Sequence, residues 1–306
     1  MHVAVSIVGF RNPDDIVHCL AALEGLDHTD FEVVICENGG PQAYAALTAR
    51  LPAALAGGQP VKVVLAPGNL GYAGGVNVCL AEAPGADAWW VLNPDTKPYP
   101  DSLGRLVRRL EVGDCQVAGG TTHFPDGRVE SHGGRWRPWL GRSESIGYGD
   151  ALDTPVDAAA LELTLSYFSG ASMLISRRFL ETVGPMHEDY FLYCEEIEWM
   201  LRGRALGMRL GYAPGARVLH LQGTTTGSVS DIRQRTRTPI YLDERNKMLV
   251  TWDRFPGRLP VAAAASFLLL FLRFGRRRAW RQLGYGLEGW LAGVLNRRGP
   301  PRWLPA

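Results

Sequence analysis

Cysteine is scarce in this sequence. Five thiols, Cys19, Cys36, Cys79, Cys115 and Cys194, are scattered over 306 residues with no Cys-x-x-Cys. An odd, unclustered set excludes a disulfide framework and a cysteine zinc site, and it fits a reducing compartment. Asn-x-Ser/Thr sequons are absent, and the N-terminus runs straight into a strand-like segment, so a cytoplasmic chain is expected. Charge of one sign is lacking too. The formal net charge is +1, which excludes the basic signature of a nucleic-acid binder. No glycine-rich loop ends in Gly-Lys-Ser/Thr, so a P-loop is excluded. The Gly-x-Gly-x-x-Gly at Gly284–Gly289 follows an arginine-rich stretch, not a strand, and too little chain remains for a βαβ unit. Repeats and low-complexity tracts are missing as well.

What is present is 46% hydrophobic residues, enough for one large domain with a smaller appendage. The Val/Ile-rich run from His2 to Val8 reads as a strand, and Asn12 and Pro13 read as the cap and first residue of a helix. Strands over Phe31–Cys36, Val61–Leu65 and Ala88–Leu92 alternate with helices over Ala43–Leu55 and Val76–Glu82. That order predicts an α/β fold with a largely parallel sheet covered on both faces. A helix over Ser102–Leu110 follows. Residues 115–170 then mix short strand-like runs with Gly, Pro and Trp, as in an antiparallel extension with loops over a site. Further on, strands are predicted over Ser172–Ser176, Met208–Tyr212 and Arg217–Leu221, and helices over Arg177–Val183, Glu195–Ala205 and from Pro239 onward.

Four stretches carry side chains suited to chemistry. The strand Ala88–Leu92 ends at Asn93-Pro94-Asp95. Pro94 cannot continue a central ladder, so Asp95 stands at the strand's carboxyl end, where open α/β sheets bind ligands. A carboxylate there can hold a hard divalent cation; a solvated turn is the plainer alternative. Glu37-Asn38, closing the second strand, suits a base edge or ribose, or equally a helix cap. The glycine-rich Asn69–Gly75 lets backbone approach a phosphate or sugar ahead of a helix N-terminus, or is a simple connection. Glu195 and Glu198 suit a helix N-terminus, and Glu198 pairs with Arg202 at i,i+4. Glu196 has no such partner. Set among Tyr, Phe, Trp and Met, it has its pKa raised toward use as a general base. His220 ends a strand before Gln222–Gly227 and, with Asp95, would complete a metal site or contact a diphosphate.

Taken in order, these stretches resemble the family 2 glycosyltransferases, in particular their bacterial rhamnosyltransferase-like branch. Val5-Ser6-Ile7-Val8-Gly9-Phe10-Arg11-Asn12 is similar to the family's opening strand, and Cys36-Glu37-Asn38-Gly39 to its Val-Asp-Asn-Gly. Asn69-Leu70-Gly71-Tyr72-Ala73-Gly74-Gly75 through Asn77 is close to its Asn-Leu-Gly-Phe-Ala-Gly-Gly segment. Asn93-Pro94-Asp95 stands where the family has its Asp-x-Asp metal motif. Ser169-Gly170-Ala171, Gly184 through Glu188, Tyr190–Tyr193 and Glu195-Glu196 match its acceptor-side block, and Arg245-Asn246 resembles it again. Three departures stand out: Asn93 leaves one carboxylate in the metal motif, Glu196 is a methylene longer than the family's Asp, and Glu37 also replaces Asp.

The resemblance implies a GT-A fold and inverting transfer from a nucleotide diphosphate sugar. Glu196 is then the base. Asp95 and His220 hold Mg²⁺ or Mn²⁺. Phe10, Arg11, Glu37, Asn38, Asn69, Gly71, Tyr72, Gly75, Asn77, Asn93, Asp95 and Arg245 contact the donor, and Gly170, Glu188, Tyr193, Glu195 and Trp199 the acceptor. The branch implies dTDP-rhamnose as donor, with a UDP-hexose second, and a lipid-linked saccharide or other glycan as acceptor. A nucleotidyltransferase would want an Arg/Lys-bearing glycine-rich loop where Val8–Asn12 stands; a non-catalytic nucleotide-sugar binder is the other alternative. The expected organisation is a catalytic domain over 1–227, with a nucleotide half (1–112) and an acceptor half (113–227), and a helical region over 228–306. In that region Leu259–Leu272 is almost wholly apolar, shorter than the ~20 residues of a spanning helix. Arg273, Arg276, Arg277, Arg278 and Arg281 follow it, with Trp280, Trp290 and Trp303. This pattern predicts a helical surface for the inner-membrane face, or for a homodimer.

Overall fold

The computed structural model describes residues 1–221 and 231–304. Gln222–Gly227, expected beside His220, lies outside the described residues. In the first half β1 (Val3–Gly9), α1 (Pro13–Leu23), β2 (Phe31–Glu37), α2 (Pro41–Thr48), β3 (Val61–Leu65), α3 (Gly71–Glu82) and β4 (Ala88–Leu92) alternate. Next come β5 (Thr96–Pro98), α4 (Ser102–Glu111), β6 (Val117–His123), β7 (Val129–Ser131), β8 (Gly134–Arg137), β9 (Arg142–Ser145) and α5 (Ala158–Thr164). The rest is β10 (Ser172–Ser176), α6 (Arg177–Val183), α7 (Glu195–Ala205), β11 (Leu210–His220), α8 (Arg237–Arg254), α9 (Leu259–Leu270) and α10 (Trp280–Val294).

The main sheet runs β3-β2-β1-β4-β10-β6-β11-β5, with β7 on β6, while β8 and β9 form a separate hairpin. β3, β2, β1 and β4 are parallel throughout; β10 and β5 enter antiparallel. Every residue of β1 and β4 is buried, as strands covered on both faces require. Strand alternation sends the neighbours Trp89 and Trp90 to opposite faces, into two separate cores.

Several boundaries move for local reasons. α2 stops at Thr48 rather than Leu55, because Pro52 disfavours helical geometry at Leu51. Asn12 does not cap α1: its Oδ1 accepts from the Phe10 N–H at 2.9 Å instead. The two strands expected around residues 208–221 are one, β11, with a register shift between Tyr212 and Arg217. Its end pairs His220 with Thr96, which carries the imidazole to Asp95 across the sheet.

α8, α9 and α10 pack together at the C-terminal side. Ala262, Ser266, Leu270 and Phe274, four residues apart, face inward, while Val261, Phe267, Leu268, Phe271 and Leu272 stay exposed. Helical structure runs unbroken over the 20 residues Pro256–Gly275, and its most apolar 18-residue window has mean hydropathy 1.5. By length and composition alone it is long and apolar enough to cross a membrane, although the almost wholly apolar part, Leu259–Leu272, is shorter.

Candidate active site

A cleft of about 510 Å³, open mouth included, lies between β7, β9, the start of α7 and α8. Its lining includes Glu130, Ser143, Ser145, Tyr167, Ser169, Tyr193, Glu196 and Asp243. Glu196 reaches it from the first turn of α7 by way of a strained turn. Phe191, Tyr193 and Cys194 have φ of 67°, 74° and 65°, a conformation costing about 1–3 kcal/mol at each non-glycine residue. The turn is held from α8. Asn246 Nδ2 lies 2.7–2.9 Å from the carbonyls of Tyr190, Leu192 and Tyr193, and Arg245 Nη2 donates to the Tyr190 carbonyl at 2.9 Å. Arg245, expected at the diphosphate, is therefore corrected: it is 1% exposed, and its other donors go to Gly299 and Asn246.

The two adjacent glutamates part ways. Burial pushes Glu196 up to about 7; the N–H groups of Glu196 and Ile197 at the helix start hold it down, and the Asp243 charge adds a little upward. Glu195 is buried more deeply, 3% exposed, with Oε2 unpartnered among the described residues. Burial and then the Glu196 charge drive its pKa well above the usual carboxylate range. Burial thus favours the neutral form of Glu195, while Glu196 is poised to take a proton. Glu195→Gln is accordingly expected to leave kcat within about threefold. Its pH–rate profile, like the wild type's, should rise to a plateau through about pH 7 as Glu196 ionises. A flat profile from pH 5 to 9 in both proteins would remove Glu196 as the base.

Asp95, 8% exposed, lies with Oδ1 3.4 Å from His220 Nε2, and His220 Nδ1 lies 2.8 Å from Glu130 Oε2. Burial alone would lower the His220 pKa, but its hydrogen bonds to Asp95 and Glu130 win and raise it to about 10. The imidazolium thus fills a cation's place between two carboxylates. Among the described residues no group of three His, Cys, Asp or Glu side chains is set to hold a metal ion. With the Nε2 proton displaced, the Asp95–His220 pair would fit a hard or borderline divalent ion whose remaining ligands are phosphate oxygens and water. Glu130, which sequence reasoning missed, fixes the ring so that Nε2 faces Asp95. Tyr72 ties this site to the first. Its hydroxyl donates to the Gly170 carbonyl at 2.7 Å, and burial, then the charges of Glu195, Glu196 and Asp95, push its pKa well up.

At the carboxyl ends of β1 and β2, Glu37 Oε1 accepts from the N–H groups of Gly39 at 2.7 Å and Arg11 at 3.1 Å. The Arg11 guanidinium lies over the Phe10 ring at 5.1 Å. Glu37 Oε2 is buried without a partner among the described residues, as is Asn93 Oδ1. Buried acceptors of this kind call for a donor, and a nucleoside can supply one.

Other expected contacts are already taken by the protein. Gly71 opens α3 at φ +70°, where a Cβ would lie 2.2 Å from the Phe191 carbonyl, and a Cβ on Gly75 would lie 2.6 Å from Val8. At both glycines the space of the missing Cβ is filled by neighbouring protein. Asn38 donates to the Gly71 carbonyl and accepts from the Leu70 N–H, and Asn69 accepts from the Gly71 N–H, so both amides brace the same turn. Asn77 bonds both Met186 backbone groups and Glu188, which makes it a clamp rather than a donor contact. Trp199, expected at the acceptor, is fully buried, with Nε1 donating to the Gly184 carbonyl at 2.8 Å. Asp243, also missed, lies two residues before the flagged Arg245. Burial opposes its ionisation, but Lys247 and Arg273 hold it below the usual range.

The sequence model of glycosyl transferase family 2 matches residues 5–184. The chain is 28% identical over 302 residues to an N-acetylglucosaminyl-diphospho-decaprenol L-rhamnosyltransferase of Mycobacterium tuberculosis, covering 88% of this chain and 92% of that protein. It is 22% identical to the low-salt glycan biosynthesis hexosyltransferase Agl10 of Haloferax volcanii, covering 98% of this chain and 93% of that one. A solved structure of the mannosyltransferase PcManGT from Pyrobaculum calidifontis, in complex with GDP-Man and Mn²⁺, gives a TM-score of 0.57 at 15% identity. That match covers 97% of this chain and 88% of the other. At such identity the likeness speaks for the fold, which is GT-A.

Proposed function

The chain belongs to glycosyl transferase family 2, and we propose that it transfers L-rhamnose, with inversion, from dTDP-rhamnose to a hydroxyl of a lipid-linked saccharide. The observation that carries this reading is Glu196, poised near pH 7 in a cleft whose Glu130 wall leads to His220 and Asp95. Glu196 takes the proton of the acceptor hydroxyl. The freed oxygen bonds to the anomeric carbon from the face opposite the diphosphate, and the breaking C–O bond leaves its electrons on the departing oxygen. Asp95 and His220 would hold Mg²⁺ or Mn²⁺, which supplies positive charge against that oxygen. Phe10, Arg11 and the buried, unpartnered Oε2 of Glu37 support a nucleoside at the ends of β1 and β2. The exposed Val261, Leu268, Phe271 and Leu272, followed by Arg276–Arg278 and Trp280, support peripheral contact with the cytoplasmic membrane face.

The reading is tested by thermal shift with dTDP, UDP and GDP, each with and without Mn²⁺. Ligand at about 100 times its Kd adds about 2.7 kcal/mol of stability. The largest shift is expected with dTDP and Mn²⁺. A larger shift with UDP moves the donor to a UDP-hexose. No shift with any nucleotide removes the donor assignment.

A further inference from the structure

Two cavities lie on opposite sides of β9. Ser143 and Ser145 face the cleft that holds Glu196, while Arg142, with Leu140 and Gly141 of the hairpin turn, lines a second, shallower cavity of about 320 Å³, open mouth included. Strand alternation sets that division. α8 repeats it, with Asp243 on the first cavity and Glu244 and Lys247 on the second. Lys247 Nζ donates to Asp243 at 2.6 Å and Glu244 at 3.1 Å, and Arg273 pairs with both carboxylates, so one ion-pair network borders the two spaces.

The second cavity is cationic on one side and apolar on the other. Arg142, Lys247 and Arg273 line it against one carboxylate, Glu244. Asp243 and Glu244 offset Lys247 and Arg273, which leaves the Arg142 charge in excess. The opposite wall is Ser266, Leu269 and Leu270 of α9. From there apolar surface continues outward over the exposed Leu268, Phe271 and Leu272, and over Trp139 and Leu140 at the hairpin turn. Sugar transfer at Glu196 uses none of these groups.

We infer that this second cavity and the adjoining α9 face bind the diphosphate and first lipid units of a lipid-diphosphate acceptor, whose sugar reaches Glu196 past β9. The inference rests on the reading that the acceptor is lipid-linked. A diphosphate matches the surplus charge and the two-pronged donor geometry of Arg142. A lipid chain covers the apolar wall. A neutral glycan would do neither.

The test is equilibrium binding of farnesyl diphosphate and of farnesol to the full chain in detergent, with EDTA present so that no divalent ion gathers phosphate at Asp95. The wild type is expected to hold the diphosphate at least ~10-fold more tightly, the scale of one charge-assisted hydrogen bond. Arg142→Glu should erase that preference while binding dTDP with Mn²⁺ as the wild type does. Should Arg142→Glu not fold, Arg142→Gln carries the same expectation. Equal binding of the two probes by the wild type, or an undiminished preference in the variant, overturns the inference. So does a variant that loses binding to phosphatidylglycerol vesicles yet keeps its farnesyl diphosphate preference, because Arg142 then serves the lipid surface. Failure of the wild type to bind any nucleotide diphosphate sinks the transferase reading instead, and the two failures are read separately.

Discussion

Glu196→Gln is expected to lower kcat by roughly 10²–10⁴ while leaving nucleotide diphosphate binding with Mn²⁺ unchanged. Gln keeps the length of Glu and can still accept from the N–H groups that open α7, so the strained turn held by Asn246 stays in place. What it loses is the ability to take a proton. Stability supplies an independent readout. Burial lifts Glu196 from its ordinary 4.5 to about 7, so the folded chain keeps a proton that the unfolded chain releases. The resulting stability is fully present below about pH 4.5 and is lost as pH rises through about 7. Gln does not ionise and escapes that loss. The variant's Tm should therefore match the wild type at pH 5 and exceed it at pH 8. An inactive variant that is less stable at pH 8 would point to a structural Glu196, and normal turnover with weakened nucleotide binding would overturn the base assignment.

Asp95→Asn is expected to weaken Mn²⁺-dependent nucleotide binding at least about 100-fold, because it removes a direct ligand where even outer-shell changes cost 10–100-fold. The effect is large because the strand end offers one carboxylate: Asn93 occupies the other position of the motif. Asn preserves shape, and His220 keeps Glu130, so the sheet edge should hold. EDTA added to the wild type should produce the same loss, and Mn²⁺ should restore the wild type alone. Calorimetry of dTDP binding with and without Mn²⁺ decides it. An Asn variant as Mn²⁺-dependent as the wild type would take Asp95 out of the metal site.

Local pattern was enough for much of this. β10, α6 and α7 begin and end where the sequence places them, because each is bounded by its own residues: a Val/Ile/Met run, a Ser cap, an acidic first turn. Glu196 was legible through the resemblance, as the second of two adjacent glutamates where the family carries its base. The glycine-rich turn was legible as special but not in its use. Positive φ can be guessed from glycine, whereas the Phe191 carbonyl that presses on Gly71 comes from 120 residues further along. Arg245 was similarly ambiguous: an arginine suits phosphate and backbone carbonyls alike, and only packing shows that it braces the turn before Glu196.

By itself, then, the sequence determined the parallel βα order, the Pro94 break that presents Asp95, and the two adjacent glutamates at a helix start. All of these rest on interactions within a few residues. Tertiary structure alone decided that Glu130 and Asp243 join the cleft and that Arg245 braces a turn, while the pairing of β11 with β5 sets the 3.4 Å between the expected partners His220 and Asp95. Those outcomes depend on strand register and burial, summed over contacts between segments far apart in the chain, where no local pattern carries the information.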